Sequence, residues 1–395
     1  MADGFSLAAT AEPTVATPKL NTYTGVFALI ALIGVTAGLY GFFAGHHHIY
    51  NNTREMPWGI LISTYAFLAI TSTGLCVLAA ISHIYGGTKL APLANRMVWL
   101  SLITIIGGFT LIGLELENPW RMAIYNILTP NLTSNIWWMG TLYGLAVGMM
   151  FVEFYLILTK QYKWAVVLGV IGALAEMAAN TNLGSVFASL AGHPFWFGAQ
   201  IPIYFLGCAF LSGAAATILF TFLAMKMRDR EIDSDTMAAF QTGGKVMALA
   251  LLLIGISTAW RYINLMSGGA EQARLGALAI LNGPLSFNFW VFEIAIGMIF
   301  PLGLLVVTKF KSAPALAFSA FMILVGMFIS RYDMVVAGQL PPVYGGLDSH
   351  LPALFTYVPS LFEILVTAGG FGIIGAAFLL GERLFGRAFD DHGAH

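Results

Sequence analysis

Apolar positions along the chain gather into ten runs, at approximately 22–44, 59–83, 97–116, 135–159, 164–190, 199–226, 244–266, 285–309, 314–337 and 358–380. A helix needs about 20 apolar residues to cross the hydrocarbon core of a bilayer. The runs are continuous and lack the ten-residue alternation of an outer-membrane barrel, so they predict an all-α polytopic membrane protein with about ten transmembrane helices. Around them the chain divides into an N-terminal tail (1–21), an integral membrane domain (22–383) and a C-terminal tail (384–395). The first 21 residues carry only Lys19 as a basic group. They lack the charged start and short apolar core of a signal peptide and read as a retained, loosely ordered tail.

Composition agrees: 58% of the 395 residues are hydrophobic and 9% are charged, against about 25% charged in soluble domains. The 18 Lys and Arg residues then orient the chain. With both termini in the cytoplasm, thirteen fall on inner segments (Lys19, Lys89, Arg96, Lys160, Lys163, Lys226, Arg228, Arg230, Lys245, Lys309, Lys311, Arg383 and Arg387) and three on outer ones (Arg54, Arg121 and Arg274). The outer connections, 45–58, 117–134, 267–284 and 338–357, are mostly long, and long loops carry surface for partners. The expected setting is a bacterial inner membrane with the functional face toward the periplasm.

Ionisable groups at bilayer depth are costly and usually face protein or a water path. Arg261, Arg331, Asp333, Glu293 and Glu363 share one band below the outer surface. Arg261 and Arg331 read as structural ion pairs; Asp333, Glu293 and Glu363 are candidates for proton relay. Glu153 and Glu176 lie deeper in the N-terminal half with no arginine in their own helices, which suits a buried protonated carboxyl or a relay. Of eight histidines, His46, His47, His48, His193 and His350 fall in outer loops, His392 and His395 in the tail, and His83 at a helix end. Haem held between helices needs ligands within them, so a cytochrome b is not expected. The HHH cluster at 46–48 reads as a solvated loop or partner contact, and no metal site is expected. Cys76 and Cys208 are isolated and cannot hold an iron–sulfur cluster, which needs about four ligands. No P-loop, dinucleotide fingerprint, nucleophile arrangement or nucleic-acid surface appears.

The stretch GLELENPWRM at 113–122 ends the third run on charge. Pro119 stops the helix, and Trp120, Tyr125, Trp137 and Trp138 bracket the polar loop that follows. The sequence resembles the NrfD family of quinone-interacting membrane subunits, which includes the polysulfide reductase membrane subunit. It is similar to the ten-helix branch with the membrane subunit of the periplasm-facing nickel–iron hydrogenase, and to membrane subunits of menaquinone-reducing complexes. The matching pieces are REMPWGILISTYAF, LELENPWRMAIYNILTPNLTSNIWWMG, FVEF, LGS with GHPFW, FWVFEIAIGMIFPL and VPSLFEILVTAG. The hydrogenase branch tends to have histidine and glutamine before LGS, where this chain has AANTN at 178–182.

The resemblance implies a subunit without haem or iron–sulfur cluster of its own, with a site for menaquinone or another quinone near the outer surface. That site would lie in a four-helix bundle of helices 2–5, with helices 6–9 as a second bundle flanked by helices 1 and 10. Expected partners are a ferredoxin-like iron–sulfur subunit, a further catalytic or multihaem electron-transfer subunit, and membrane lipid. A quinone needs an apolar slot and hydrogen-bond partners for two oxygens. Trp120, Tyr125 and Trp138 are the expected walls; Glu117, Asn118 and Arg121 are the expected polar contacts. A secondary transporter and a passive anchor without a quinone site are the competing classes.

Overall fold

The computed structural model describes residues 18–84, 89–343 and 351–390. Residues 1–17 of the expected tail, His350, His392 and His395 lie outside them. The described chain is helical: α1 (Pro18–Ala44), α2 (His46–Ile49), α3 (Ile60–Ile84), α4 (Ala94–Glu115), α5 (Pro119–Leu128), α6 (Asn135–Leu158), α7 (Tyr162–Ala188), α8 (Gln200–Met227), α9 (Ser234–Ser267), α10 (Glu271–Leu281), α11 (Asn288–Val307), α12 (Ala313–Ala337), α13 (Leu361–Leu384) and α14 (Gly386–Asp390). Ten of these are long and apolar enough to cross a membrane, and they match the ten apolar runs.

The differences lie at the ends of the runs. Pro18 at the first position starts α1 within the expected tail. Asp233 caps α9, its side chain accepting from Thr236 N at 2.7 Å, so this helix begins ten residues before its apolar run. Residues 117–134 and 267–284, expected as loops, contain the short helices α5 and α10. Both mix apolar and polar positions, so neither forms a continuous apolar run. The first twelve residues of α11, Asn288–Ile299, are wound as a π-helix. Such insertions are rare and gather at functional sites.

Packing closes the spans into two groups of four. In the first, α3 packs on α4 and α7, and α6 on α7 and α4; in the second, α8 packs on α9 and α12, and α11 on α12. These are the helices 2–5 and 6–9 expected as bundles. They meet where α3 crosses α8, and there the contact is backbone to backbone: a Cβ on Gly74 would lie 1.8 Å from the Ala209 carbonyl oxygen, and one on Gly213 would lie 2.4 Å from the carbonyl carbon of Gly74. Small residues at such a crossing replace a hydrophobic driving force that lipid does not supply. Helices α1 and α13 pair with one another along Gly34 and Gly369, and α13 lies against α4.

The end of the molecule carrying α5 and α10 is termed upper below, and the other lower. The lower end is closed by charge. Buried Arg96 of α4 donates to Glu382 at 2.6 Å; Arg228 bonds both Glu382 (3.2 Å) and Asp390 (2.7 Å), and Arg230 also pairs with Asp390. Asn95 donates to the Ala388 carbonyl at 2.9 Å, so α14 docks under α4 where a tail was expected.

Valine at Gly74 is expected to force the bundles apart at about 1–3 kcal/mol or more, whereas valine at Gly25, whose Cβ would meet nothing within 4 Å, is expected to be neutral. Thermal unfolding of the two variants in detergent checks this; equal midpoints would rule out Gly74 as the docking point.

Candidate functional site

The upper part of the first bundle is shaped by one helix break. After Glu115 the chain leaves helical geometry, and Pro119, whose missing N–H is harmless at a first helical position, restarts it as α5. Helix α6 follows, its Ser134 cap accepting from Trp137 N. Two bonds fasten α5 to α6: Trp137 Nε1 donates to the Asn126 carbonyl at 2.7 Å, and Asn126 Nδ2 donates to Thr141 Oγ1 at 3.0 Å. Between α4, α5 and α6 lies a cavity of about 530 Å³. Met122, Ala123 and Asn126 of α5 form one wall, Gly113 of α4 and Gly140 and Gly144 of α6 leave the space open, and Tyr65 of α3 and Tyr143 of α6 form the back. Tyr65 stacks on Phe109, and Phe109 meets Tyr143 edge to face. The Tyr143 hydroxyl is buried beside Thr73, without a hydrogen bond of standard geometry among the described residues.

Behind these tyrosines the bundle interior is polar. Thr73 Oγ1 donates to Glu176 Oε2 at 2.7 Å and Ser72 Oγ to Glu176 Oε1 at 3.2 Å, with Ser101 hydrogen-bonded to Ser72. Glu176 is fully buried. Lower down, His83 Nδ1 lies 3.6 Å from Glu153 Oε1, and His83 Nε2 lies 3.4 Å from Asn95 Oδ1. Gly169 makes room for this carboxyl, since a Cβ there would sit 2.3 Å from Glu153 Oε1. Tyr65, Ser72, Cys76 and His83 fall within a narrow sector of the 3.6-residue repeat of α3, so one helix face carries polar groups from the cavity to the lower end.

A second, smaller cavity of about 340 Å³ lies above the first and shares Leu116 with it. His46, Tyr50, Asn52, Glu115 and Glu117 line it. His46, expected in a solvated loop, is buried, and neither ring nitrogen makes a hydrogen bond of standard geometry among the described residues. The ring sits between Phe42 and Tyr50. Burial pushes its pKa below the ordinary value, and the nearby charge of Glu117 only partly offsets this. Burial likewise pushes the Tyr50 hydroxyl up.

The expected site residues distribute unevenly over this geometry. Glu117 lines the upper cavity; Asn118, Trp120, Arg121, Tyr125 and Trp138 line neither cavity and lie on exposed surface, with Trp120 and Tyr125 each 53% exposed. Pro119 starts a helix whose opposite face, Met122, Ala123 and Asn126, meets the main cavity. Glu153 and Glu176 are buried in the same bundle as that cavity. Glu363 is held as the third residue of a capping box, accepting from Ser360 N at 2.7 Å and Asn51 N at 3.1 Å and from the Tyr357 hydroxyl. These donors fix its position at the upper end of α13.

In the second bundle Arg261 and Arg331, expected as ion pairs, form none among the described residues. Arg261 lies over Phe195 at 4.7 Å, and Arg331 over Phe205 at 4.8 Å and Tyr204 at 5.1 Å, with Nη2 on Cys208 Sγ at 3.3 Å. Aromatic faces stabilise a buried guanidinium without a paired carboxylate. Asp333 accepts from Asn288 at 3.0 Å, and Glu293 is buried on the π-helical turn of α11.

Tyr65, Tyr143, Ser72 and Thr73 were not singled out from the sequence, His83 was placed only at a helix end, and His46 was placed in a solvated loop. The spacing along α3 is the signal that marks four of the column's residues. Nothing in the sequence marks His46 as buried.

Residues 49–342 match the family model described as polysulphide reductase, NrfD. A selenate reductase subunit of Mesobacillus selenatarsenatis is 22% identical over 94% of this chain and 96% of its own. The Hdr-like menaquinol oxidoreductase integral membrane subunit of Archaeoglobus fulgidus is 20% identical over 91% and 93%, and protein NrfD of Escherichia coli is 22% identical over 73% and 96%.

Because folding lowers the affinity of His46 for a proton, the unfolded chain binds more protons as pH falls below about 6.5, and the folded chain loses stability until pH passes the depressed value. Replacement of His46 by Gln is expected to flatten this acid limb of the melting temperature as pH falls from neutrality through that range. An unchanged limb would place the titration elsewhere.

Proposed function

The chain belongs to the NrfD polysulphide reductase family, and from that premise we propose that it is the quinone-interacting membrane subunit of a respiratory oxidoreductase complex. It exchanges electrons between a partner iron–sulfur subunit and membrane menaquinone at the periplasmic face. The observation that carries this reading is the cavity between α4, α5 and α6: apolar, placed at the upper end, and backed by two tyrosines and a buried carboxyl. The excess of Lys and Arg at the lower end supports placing the upper end outside. The polysulphide reductase description of the family and the reductase and menaquinol oxidoreductase names of the relatives support the partner complex.

The residues present fit a quinone. An apolar slot accepts the ring and the first isoprene units, while the Tyr143 hydroxyl and the second Nδ2 hydrogen of Asn126 offer hydrogen bonds to oxygens. When bound, the quinone supplies a two-electron, two-proton couple. This chain's own residues handle the protons. Tyr143 stands between cavity and Thr73; Thr73 and Ser72 hold Glu176; the His83–Glu153 pair continues the line toward the cytoplasmic end. Glu117 and His46 edge the upper cavity and give protons a separate outlet to the periplasm. The exposed Trp120, Arg121, Tyr125 and Trp138 suit the docking of the iron–sulfur partner better than the quinone itself, since Trp, Tyr and Arg dominate interface hot spots.

Gly144 lines the cavity, and a Cβ there would meet nothing within 4 Å. Phenylalanine at Gly144 is therefore expected to fill the slot and lower quinone-linked turnover of the purified complex about tenfold or more, without loss of folding. Full turnover in that variant would remove the cavity from the mechanism. Glu176→Gln and Glu153→Gln are expected to retain electron transfer in detergent and to lose proton movement in vesicles; parallel loss of both activities would argue against a separate proton line.

A further inference from the structure

The two bundles repeat one another more closely than the sequence suggests. In each, the first helix packs on the second and fourth, and a short helix follows the second: α5 after α4, α10 after α9. The same sequence interval separates Tyr65 from Tyr204 and Gly74 from Gly213. The two glycines touch, so the relation between the bundles runs through their crossing. The repeat extends to a cavity. Between α9 and α11, the second and third helices of the second bundle, lies a groove of about 570 Å³. Its upper edge is fastened as in the first bundle: Trp290 Nε1 donates to the Leu281 carbonyl of α10 at 2.9 Å, as Trp137 Nε1 does to the Asn126 carbonyl of α5.

We propose that this groove is a second binding site for an uncharged quinone or quinol with an isoprenoid tail; the inference rests on the quinone reading of the first cavity. Apart from the Trp290 indole N–H, which is committed to the Leu281 carbonyl, its polar side-chain groups are the hydroxyls of Thr258 and Tyr262, with the Tyr204 hydroxyl on Thr258 at 3.1 Å. No charged side chain lines it. A phosphate headgroup drawn to that depth would lose its hydration without a counter-charge, whereas a neutral ring bearing two oxygens meets hydroxyl partners. Among the described residues, no buried carboxylate lies on α8, α9, α11 or α12 toward the lower end beyond Glu293. The site therefore binds without the proton line of the first bundle, and it holds ligand rather than reducing it.

Gly255 lines the groove, and a Cβ there would meet nothing within 4 Å. The test uses the whole complex in nanodiscs and a labelled naphthoquinone carrying two isoprene units, with bound label counted per chain. Two sites are expected in the parent. Gly255→Phe is expected to lose one and keep quinone-linked turnover; Gly144→Phe is expected to lose one together with turnover. Ala259→Trp, on the exposed wall of the same groove, repeats the first arm if Gly255→Phe misfolds. Label count unchanged by both groove variants, or a phospholipid acyl chain recovered there in place of label, overturns the second site while leaving the first intact. Label count and turnover both unchanged in Gly144→Phe would instead overturn the reading of the first cavity.

Discussion

The architecture depends on a contact with no side chains in it. Gly74 and Gly213 bring the backbones of α3 and α8 together at the centre of the molecule. In lipid, where apolar surface gains nothing by hiding from its surroundings, close backbone approach and dispersion must hold two bundles together. The contact also fixes the rotation of α3. With the Gly74 side committed to α8, the sector carrying Tyr65, Ser72, Cys76 and His83 is left for the interior of the first bundle. The polar column is in this sense a consequence of where the glycine is.

Burying Glu176 and Glu153 in that interior is expensive, and the chain meets the cost in two ways. Glu176 is held by hydroxyls of α3: Thr73, which also reaches the Ala69 carbonyl of its own helix, and Ser72, which also reaches the Ser101 carbonyl of α4. Glu153 has the His83 imidazole 3.6 Å away and occupies the room that Gly169 leaves. The second bundle places guanidinium groups over aromatic rings instead. One fold, used twice, thus keeps the middle of one copy acidic and admits guanidinium groups into the other.

The ten spans were legible because continuous apolar length is a direct image of bilayer thickness, and the two bundles followed from the family resemblance. Buried carboxyls were legible too, since Glu153 and Glu176 interrupt apolar helices. The cavity was not. Its walls are Gly113, Gly140, Gly144, Met122 and Ala123, and a void leaves no mark in a sequence except smallness. The expected walls fell instead on Trp120, Tyr125 and Trp138 and one expected polar contact on Arg121, all of which lie on exposed surface. His46 was misplaced for a related reason: three adjacent histidines look solvated, yet the turn at Gly45 sends one of them inward while His47 and His48 remain outside.

Helices α1 and α13 bind one another along Gly34 and Gly369 although nearly the whole membrane domain separates them in the chain. During synthesis α1 enters the bilayer long before its partner exists, and its glycine face must wait against lipid. The α13 helix then arrives together with Glu382 and α14, whose contacts with Arg96, Arg228 and Asn95 seal the lower end. Closure of the lower end therefore rests on residues near the end of the chain, since Glu382 and Asp390 are the carboxylates that Arg96 and Arg228 meet there.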